Sequence, residues 1–347
     1  MNRRSILVAG LLATALPMTA IAQDGPRVGM SWANFQEERW KIDQAGIEAA
    51  LEELGGELIS TDAQSSSSKQ ASDIESLLAR DIDALMIVSQ DSETILASVE
   101  RALNSGVPVV AYERQIEHPD VTYVAFDPVE VGRIQARAVT GEAPEGNYVI
   151  IKGSPTDPYT TYVLQGQREI IDPMVEAGDI EVVAEQFTDG WLPSNAQRNM
   201  EQILTVEDND VDAVLAANDG TAGGVVAALE GAGLAGDVPV SGQDGDIAAL
   251  NRIARGTQTV TAWKDTRELG RLGGEVVTKI IDGEDPATIE GAQDWDKGAQ
   301  GITQTAIVLS PVAITRDNLD VVVDAGWIST EDLCQGVSGD GAPEACQ

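Results

Sequence analysis

Short runs of apolar, mostly β-branched residues alternate along this chain with longer runs whose apolar positions recur at helical spacing. The run "RVGMSWA" (27–33) precedes a predicted helix over 36–54, and "GELISTDAQ" (56–64) precedes a predicted helix over 68–80. Ten runs are predicted to be strands: 27–33, 56–64, 84–90, 108–113, 121–127, 147–154, 181–188, 213–219, 238–245 and 259–265. Strands separated by helices indicate βαβ units, and hence an α/β fold with parallel sheets covered on both faces.

The number of predicted strands exceeds what one ordinary doubly wound domain holds. We therefore expect two doubly wound parallel-sheet lobes, each with its own helices, with the break near Asp127-Pro128. After Gly283 the helical spacing is lost, and the chain is predicted to form extended crossing segments and a last strand.

The first 22 residues have the composition of a secretory signal peptide. Arg3 and Arg4 supply a positive start, an apolar stretch follows over 6–16, and Ala20-Ile21-Ala22 forms a small-residue cleavage site. The arginine pair also fits a twin-arginine leader, but ordinary secretion with cleavage after Ala22 is the interpretation that we adopt. The mature chain is then expected outside the cytoplasm.

Charge and cysteine content narrow the function classes. The formal net charge is −35 at pH 7, so we expect a monomer that repels nucleic acid and anionic membranes. In an exported protein, Cys334 and Cys346 predict one disulfide; a metal-binding pair is the alternative, disfavoured because no histidine is near. The single histidine, His118, excludes a site built from a histidine cluster, and we predict neither a metal site nor a cofactor.

Polar groups and tryptophans collect after the predicted strands, where open α/β sheets bind ligands. These groups are Trp32, Asn34, 38–40, Glu113, Arg114, Asp157, Trp191, Asn218, Asp219, 243–246 and Lys264. Carboxylate, amide and guanidinium groups suit the hydroxyl groups of a sugar, because each hydroxyl both donates and accepts a hydrogen bond. A flat indole such as that of Trp191 can cover the C–H face of a pyranose ring. The set therefore indicates a hydroxyl-rich ligand.

Simpler roles stay open for several of these residues. Asn218, Asp219 and Asp127 each stand where a helix N-cap is common. Trp191 has an alternative as a partly buried core residue, and Arg114 as one half of a surface ion pair.

Seven segments give the mature chain a resemblance to the periplasmic sugar-binding proteins of ABC transporters, which have the type I binding-protein fold. The segments are "ERW" (38–40), "AYERQI" (111–116), "GSPTD" (153–157), "DGWLPSNA" (189–196), "NDGTAGG" (218–224), "SGQDGD" (241–246) and "GTQTVTAWK" (256–264). The likeness extends to about Ile328 and is greatest toward the D-xylose binders of this family.

The resemblance implies two lobes joined by three crossing segments, with a ligand cleft between them. The implied divisions are an N-terminal lobe of 26–127 and about 262–290, a C-terminal lobe of 128–261 and about 291–326, and a disulfide-closed tail of 327–347.

The resemblance also implies which residues hold the ligand. Hydrogen bonds to the sugar are assigned by position to Arg39, Arg114, Asp157, Asn218, Asp244 and Lys264, and the sandwiching of its ring to Trp40 and Trp191. The implied function is capture of D-xylose or a closely related aldopyranose in the periplasm by hinge closure, without chemistry, and delivery to the membrane permease of an ABC importer. The chain departs from the family at Pro158-Tyr159, where the family often has two asparagines.

Three other functions stay open at this point. The same scaffold could bind glucose, galactose or arabinose, and it could also present its sugar to a chemoreceptor. An enzyme that uses Asp157 and Asp244 as an acid–base pair is the remaining alternative, disfavoured because the sequence offers no histidine or metal constellation.

Overall fold

The structure is a computed structural model, and it describes residues 25–337 and 341–347. The predicted signal peptide lies outside the described residues. Within the part of the chain that is described, no helix is both long enough and apolar enough to span a bilayer.

Strands and helices alternate as the sequence pattern predicts. The first stretch contains β1 (Arg27–Trp32), α1 (Arg39–Glu53), β2 (Glu57–Asp62), α2 (Ser67–Leu78), β3 (Ala84–Ile87), α3 (Leu96–Asn104), β4 (Val109–Tyr112) and β5 (Val121–Phe126). The second contains α4 (Pro128–Glu142), β6 (Gly146–Lys152), α5 (Pro158–Ala177), β7 (Ile180–Phe187), α6 (Pro193–Val206), β8 (Ala213–Ala216), α7 (Asp219–Ala232), β9 (Gln243–Asp244), α8 (Ile247–Arg255) and β10 (Val260–Trp263). The third contains α9 (Thr266–Ile281), β11 (Ala292–Trp295), β12 (Gln304–Leu309), β13 (Val312–Thr315), α10 (Asp320–Asp324) and α11 (Thr330–Leu333).

All ten predicted strands are present, and each ends earlier than predicted. The largest difference is at 238–245, where only Gln243–Asp244 forms a strand. Residues 239–242 still bond to the neighbouring chain segments on both sides. Val240 pairs with Val214, and the carbonyl of Val240 accepts from the amide of Thr259.

The first lobe (25–127 and 264–309) is built on a seven-stranded sheet in the order β11-β12-β5-β4-β3-β1-β2. Only the β11–β12 pair is antiparallel. Because side chains alternate along a strand, the sheet buries a different apolar set on each face. Met30, Met86 and Val110 lie in the core on one face, and Leu85 and Val109 lie in the core on the other.

The second lobe (128–263, 312–337 and 341–347) has two three-stranded sheets, β7-β6-β8 and β13-β10-β9. The bridge between Val214 and Val240 connects the two sheets. Helices cover both faces, so both lobes are doubly wound, as the sequence predicts. The closest helix contact of this lobe depends on Gly132 and Gly166: a Cβ added to either would lie within 2.0 Å of a backbone carbonyl oxygen of the facing helix.

The chain crosses between the lobes three times, at Asp127, at 264–265 and at 310–311. The predicted division is wrong for 292–309, which had been assigned to the C-terminal lobe. Strand β12 pairs in parallel with β5, from Ala306 opposite Tyr123 to Leu309 opposite Phe126, and so extends the sheet of the first lobe. The division is also displaced by two residues at 262–263, because β10 pairs with β9 and β13 in the second lobe.

The tail packs on the second lobe. A disulfide joins Cys334 and Cys346. Leu333 and Ile328 belong to the same apolar cluster as Leu250 and Ile253 of α8. The tail therefore closes the core beneath β9 and β10.

Candidate ligand-binding site

A narrow cavity lies between the lobes, and all eight of the residues predicted to bind ligand line it. Those residues are Arg39, Trp40, Arg114, Asp157, Trp191, Asn218, Asp244 and Lys264. Four further residues complete the lining: Glu37, Glu113, Tyr159 and Gln243. Both lobes and the second crossing segment contribute, as expected for the carboxyl ends of parallel strands.

Two of the lining residues are also helix caps. Asp157 caps α5, because its Oδ1 accepts from the amide of Tyr159 at 3.0 Å while Pro158 opens the helix. Asn218 caps α7, because its Oδ1 accepts from the amide of Thr221 at 2.9 Å.

Of the residues for which a cap was the alternative, Asp127 also caps its helix, α4, whereas Asp219 is the first residue of α7 and not its cap. Asp157 is a cap that the sequence pattern did not predict, and the capping alternative is correct for Asn218. Capping does not exclude a ligand role for Asp157 and Asn218, because each cap uses only one polar atom of the side chain.

Lys264 is held between carboxylates that come from opposite lobes. Its Nζ lies 2.6 Å from Glu113 Oε1 and 2.8 Å from Asp244 Oδ1. Arg39 joins the same network through Nη1, which bonds Glu113 and lies 3.4 Å from Asp244 Oδ1. The Nε of Arg39 bonds Asp43 behind the cavity wall at 3.1 Å. Every charge in the network is buried and has an opposite charge beside it.

Burial and ion pairing push the carboxyl pKa values in different directions. Burial alone raises the pKa of Glu113, but Arg39 and Lys264 outweigh it and hold that pKa below its usual range. The pKa of Asp244 is lowered in the same way, with burial opposed by Lys264 and then Arg39. For Asp157 burial prevails over Arg114, and the pKa is raised. Burial raises the pKa of Asp43 to about 6.

Trp191 is placed with its ring edge against the backbone of Gly153. A Cβ added to Gly153 would lie 2.1 Å from the Cη2 atom of the ring, so only glycine leaves room for the indole. The indole Nε1 donates to Asp157 Oδ2 at 3.2 Å, and the same carboxylate oxygen pairs with Arg114 Nε at 3.1 Å. Trp191 is 6 % exposed, so it is a buried residue that also faces the cavity.

Trp40 lines the cavity from the first lobe. Its Nε1 donates to Glu37 at 2.6 Å, and the guanidinium of Arg39 lies 4.6 Å from its ring centroid. Trp32 packs behind it at a ring separation of 5.8 Å. Trp40 and Trp191 therefore present aromatic surface to one cavity from opposite lobes.

Four of the lining residues are not among the eight predicted to bind the ligand. Glu113 and Gln243 follow or form strand ends, so the strand-end pattern had already singled them out. Glu113 also adopts a left-handed backbone with φ of 61°, which no sequence pattern indicated. Glu37 enters the site as the hydrogen-bond acceptor of Trp40, a contact that the sequence did not signal.

Tyr159 is one of the two residues, 158 and 159, at which the sequence was expected to depart from the family pattern. Its hydroxyl donates to Gln243 Oε1 at 3.0 Å and accepts from Lys264 Nζ at 3.3 Å. Burial raises the pKa of Tyr159 well above its usual value, so the phenol stays protonated. A neutral hydroxyl group thus lines the cavity where the family often has an amide.

The arrangement suits a neutral ligand that carries several hydroxyl groups. Guanidinium, ammonium and indole groups can donate hydrogen bonds, and the carboxylates can accept them. Because the buried cations are already paired, a charged ligand would add an uncompensated charge at a cost in free energy. The lobes meet across the cavity, with Arg114 bonded to Asp157 and Gln36 Nε2 lying 3.3 Å from the carbonyl of Gly190.

Comparison with known proteins identifies the family. Residues 28–285 match the family model described as periplasmic binding protein domain. The D-xylose-binding periplasmic protein of Escherichia coli strain K12 is 34 % identical over 337 residues, which cover 96 % of this chain and 100 % of that protein. The D-xylose-binding periplasmic protein of Haemophilus influenzae is 35 % identical over 309 residues, which cover 88 % of this chain and 92 % of that protein.

A solved structure gives the same result for the fold. The solute-binding protein of an ABC transporter from Clostridium phytofermentans, crystallised with β-D-glucose, superposes with a TM-score of 0.79 at 26 % identity. The match covers 88 % of this chain and 99 % of that one. The chain therefore belongs to the periplasmic binding protein family.

Proposed function

We propose that this protein is a periplasmic solute-binding protein that captures D-xylose, or a closely related aldopyranose, and delivers it to the permease of an ABC importer. The observation that carries the proposal is the buried cavity between the lobes, in which paired charges and two tryptophans from opposite lobes converge. The two relatives that bear the name D-xylose-binding periplasmic protein support this sugar. The predicted signal peptide and the family support the periplasm as its location.

In this function each lining residue has a distinct part. Arg39, Arg114 and Lys264 donate to the oxygens of the sugar, and Asp157 and Asp244 accept from its hydroxyl groups. Asn218 uses the amide nitrogen that its cap leaves free. The indoles of Trp40 and Trp191 cover the two faces of the ring.

The sugar is bound without chemistry in this proposal. Asp157 and Asp244 are assigned to hydrogen bonding with the sugar and not to acid–base catalysis, and Tyr159, Trp191 and Arg114 fix the orientation of Asp157 for this purpose. Asp244, with a lowered pKa, is held ionised by Lys264. Recovery of unchanged sugar after long incubation with the protein, measured by NMR, tests this part; any product would contradict it.

A second candidate ligand is a hexose such as D-glucose. The glucose-bound solute-binding protein with the same fold favours it. Tyr159, at the position where the resemblance led us to expect an asparagine, lines the cavity and also keeps this candidate open.

Calorimetric titration of the mature protein, stripped of bound ligand, tests the proposal. D-xylose, D-glucose, L-arabinose and D-galactose are titrated in turn. We expect one-to-one binding, with D-xylose the tightest. Tighter binding of D-glucose would replace the first candidate with the second, and no heat with any of the four sugars would contradict both.

A further inference from the structure

Asp244 has a backbone conformation that non-glycine residues rarely adopt. Its φ is 103°, and the next residue, Gly245, has a φ of 75°. Such a conformation persists only where surrounding contacts hold it in place. Asp244 also carries the carboxylate that Lys264 bonds in the cavity, so the contacts that hold its backbone also determine where this carboxylate points.

Both the amide and the carbonyl of Gly245 form hydrogen bonds to side chains. Its amide donates to Asp219 Oδ2 at 2.9 Å and lies 3.1 Å from Thr261 Oγ1. The amide of Asp246 donates to the same oxygen of Asp219 at 3.0 Å. The carbonyl of Gly245 accepts from the indole Nε1 of Trp327 at 2.6 Å. Asp219 thus bonds the amides of the strained turn, and Trp327 bonds its carbonyl group. Neither residue lines the cavity.

Trp327 is itself held by its neighbours at the start of the disulfide-closed tail. Its ring packs edge-on against Trp263 at a centroid separation of 5.8 Å. The guanidinium of Arg267 lies 5.2 Å from the same ring and donates to the carbonyl of Ala325 at 3.1 Å. The indole nitrogen is therefore presented to Gly245 in one orientation.

The rest of the tail is fastened to α8. The side-chain amide of Asn251 donates to the carbonyls of Leu333 and Gln335 at 2.9 and 2.8 Å. The disulfide closes the segment that follows. The tail, Trp327 and the turn at Asp244 consequently form one continuous set of contacts from the surface to the cavity.

We infer that Trp327 is a positioning residue for Asp244, so that the disulfide-closed tail completes the ligand site. This inference rests on the proposed function, because it assigns Asp244 to the ligand. Loss of the indole N–H frees the carbonyl of Gly245 and lets the turn relax toward an ordinary backbone conformation. The carboxylate of Asp244 then moves away from Lys264 and from the ligand.

Trp327→Phe tests the inference, because it removes the N–H and keeps an aromatic ring against Trp263. Trp295→Phe, a buried tryptophan of the first lobe, is the matched control for loss of an indole. We expect the D-xylose affinity of Trp327→Phe to fall by roughly three- to tenfold, the range that one lost hydrogen bond gives. The control is expected to keep its affinity within twofold. Equal affinity in wild type and Trp327→Phe would overturn the inference.

A double-mutant cycle with Asp244→Asn separates positioning from general loss of stability. If Trp327 acts through Asp244, the further loss caused by Trp327→Phe in the Asp244→Asn background is below twofold. An equal loss in both backgrounds assigns Trp327 a structural role only and overturns the inference. If Trp327→Phe does not fold, Asn251→Ala takes its place in the same cycle with the same two outcomes.

Amide hydrogen exchange of Gly245 and Asp246 gives a readout that needs no ligand. Faster exchange of both amides in Trp327→Phe, with unchanged exchange in β6, supports the inference. Unchanged exchange at both positions overturns it. A wild-type protein that binds none of the four sugars would remove the proposed function, and the exchange rates would still decide whether Trp327 holds this turn.

Discussion

Asp157 and Asn218 each serve two purposes with one side chain. One oxygen of each accepts from the first turn of a helix, which fixes the rotamer, and the remaining polar atom faces the cavity. A site residue whose rotamer is already locked loses little side-chain entropy when ligand binds. The capping role and the proposed binding role are therefore compatible at these positions.

The contact between Gly153 and Trp191 gives the first prediction. In Gly153→Ala the new methyl group overlaps the indole, which must move out of the cavity. Overpacking of this kind costs about 1–3 kcal/mol in stability. Because the displaced indole no longer covers the ring of the sugar, we also expect a loss of D-xylose affinity. Gly141→Ala is the matched control, since a Cβ there meets no atom within 4 Å. Calorimetry on both variants checks the result; equal affinities would show that the position of Trp191 is irrelevant to binding.

The raised pKa of Asp157 gives a prediction on pH. As the pH falls from neutral, Asp157 takes up a proton before Glu113 and Asp244, whose pKa values are lowered. The affinity needs the ionised form, so it falls as the pH is lowered through the raised pKa of Asp157.

The variant Asp157→Asn identifies the group responsible for that decline. It binds more weakly than wild type at neutral pH, where Asp157 is ionised, and lacks the decline in this range. Asp43, with a pKa of about 6 behind Arg39, is retained in the variant. An undiminished decline in titrations of Asp157→Asn would assign the effect to Asp43 or another group and contradict the prediction.

Sequence patterns could locate most of the site at the residue scale. Parallel strands bring their carboxyl ends to one edge, so Arg114, Asp157 and Asp244 are predictable from position alone. Tyr159 and Glu37 are not predictable in this way. Tyr159 joins the site through a partner distant in sequence, and Glu37 joins it through the side-chain rotamer that bonds Trp40. The hydroxyl of Tyr159 meets Gln243 from a different strand end, a contact that exists only after the lobe has folded.

At the scale of elements, the short extended segments were the least predictable. Strands β11 and β12 have no helix between them, and nothing in their local pattern states which sheet they join. Their pairing is decided by the free edge of β5, which β12 covers in parallel register. This is why residues 292–309 were assigned to the wrong lobe, whereas the ten strands of the βαβ series were all found.

The disulfide of the tail gives a prediction at this scale. It closes a loop between residues 12 positions apart, and loop-closure entropy for this length is worth about 3 kcal/mol. Cys334→Ser combined with Cys346→Ser should lower the free energy of unfolding of the second lobe by up to this amount. Denaturant unfolding measures the change, and wild type in reductant serves as the control, expected to match the double variant. Unchanged unfolding of both would show that the tail contributes no stability.

At the scale of the whole molecule, Lys264 links the two lobes through the ligand site. It lies in the second crossing segment and bonds Glu113 of one lobe and Asp244 of the other. Movement of the lobes apart separates these two carboxylates from their shared cation. Hinge motion of this kind is an established way for two-lobed proteins to enclose a ligand.

Because the net charge is −35, we expect salt to change the thermal stability of the protein but not its affinity for a neutral sugar. The Debye screening length falls from about 10 Å at 0.1 M to about 3 Å at 1 M salt, and this weakens the repulsion among surface carboxylates. Thermal unfolding should therefore shift to higher temperature as NaCl rises. The affinity for a neutral sugar should stay within twofold, because the site charges are buried and paired. A steep fall in affinity with salt would indicate a charged ligand.

The central claim is that a neutral monosaccharide binds in the cavity between the lobes through its buried carboxylates. The most direct measurement is a calorimetric titration of D-xylose into wild type and Asp244→Asn side by side, with Glu169→Gln, a surface ion-pair variant, as control. Removal of a charge-assisted hydrogen bond predicts an affinity lower by roughly 10- to 100-fold in Asp244→Asn and unchanged in the control. Equal D-xylose affinity in wild type and Asp244→Asn would contradict the account, because the sugar would then bind elsewhere.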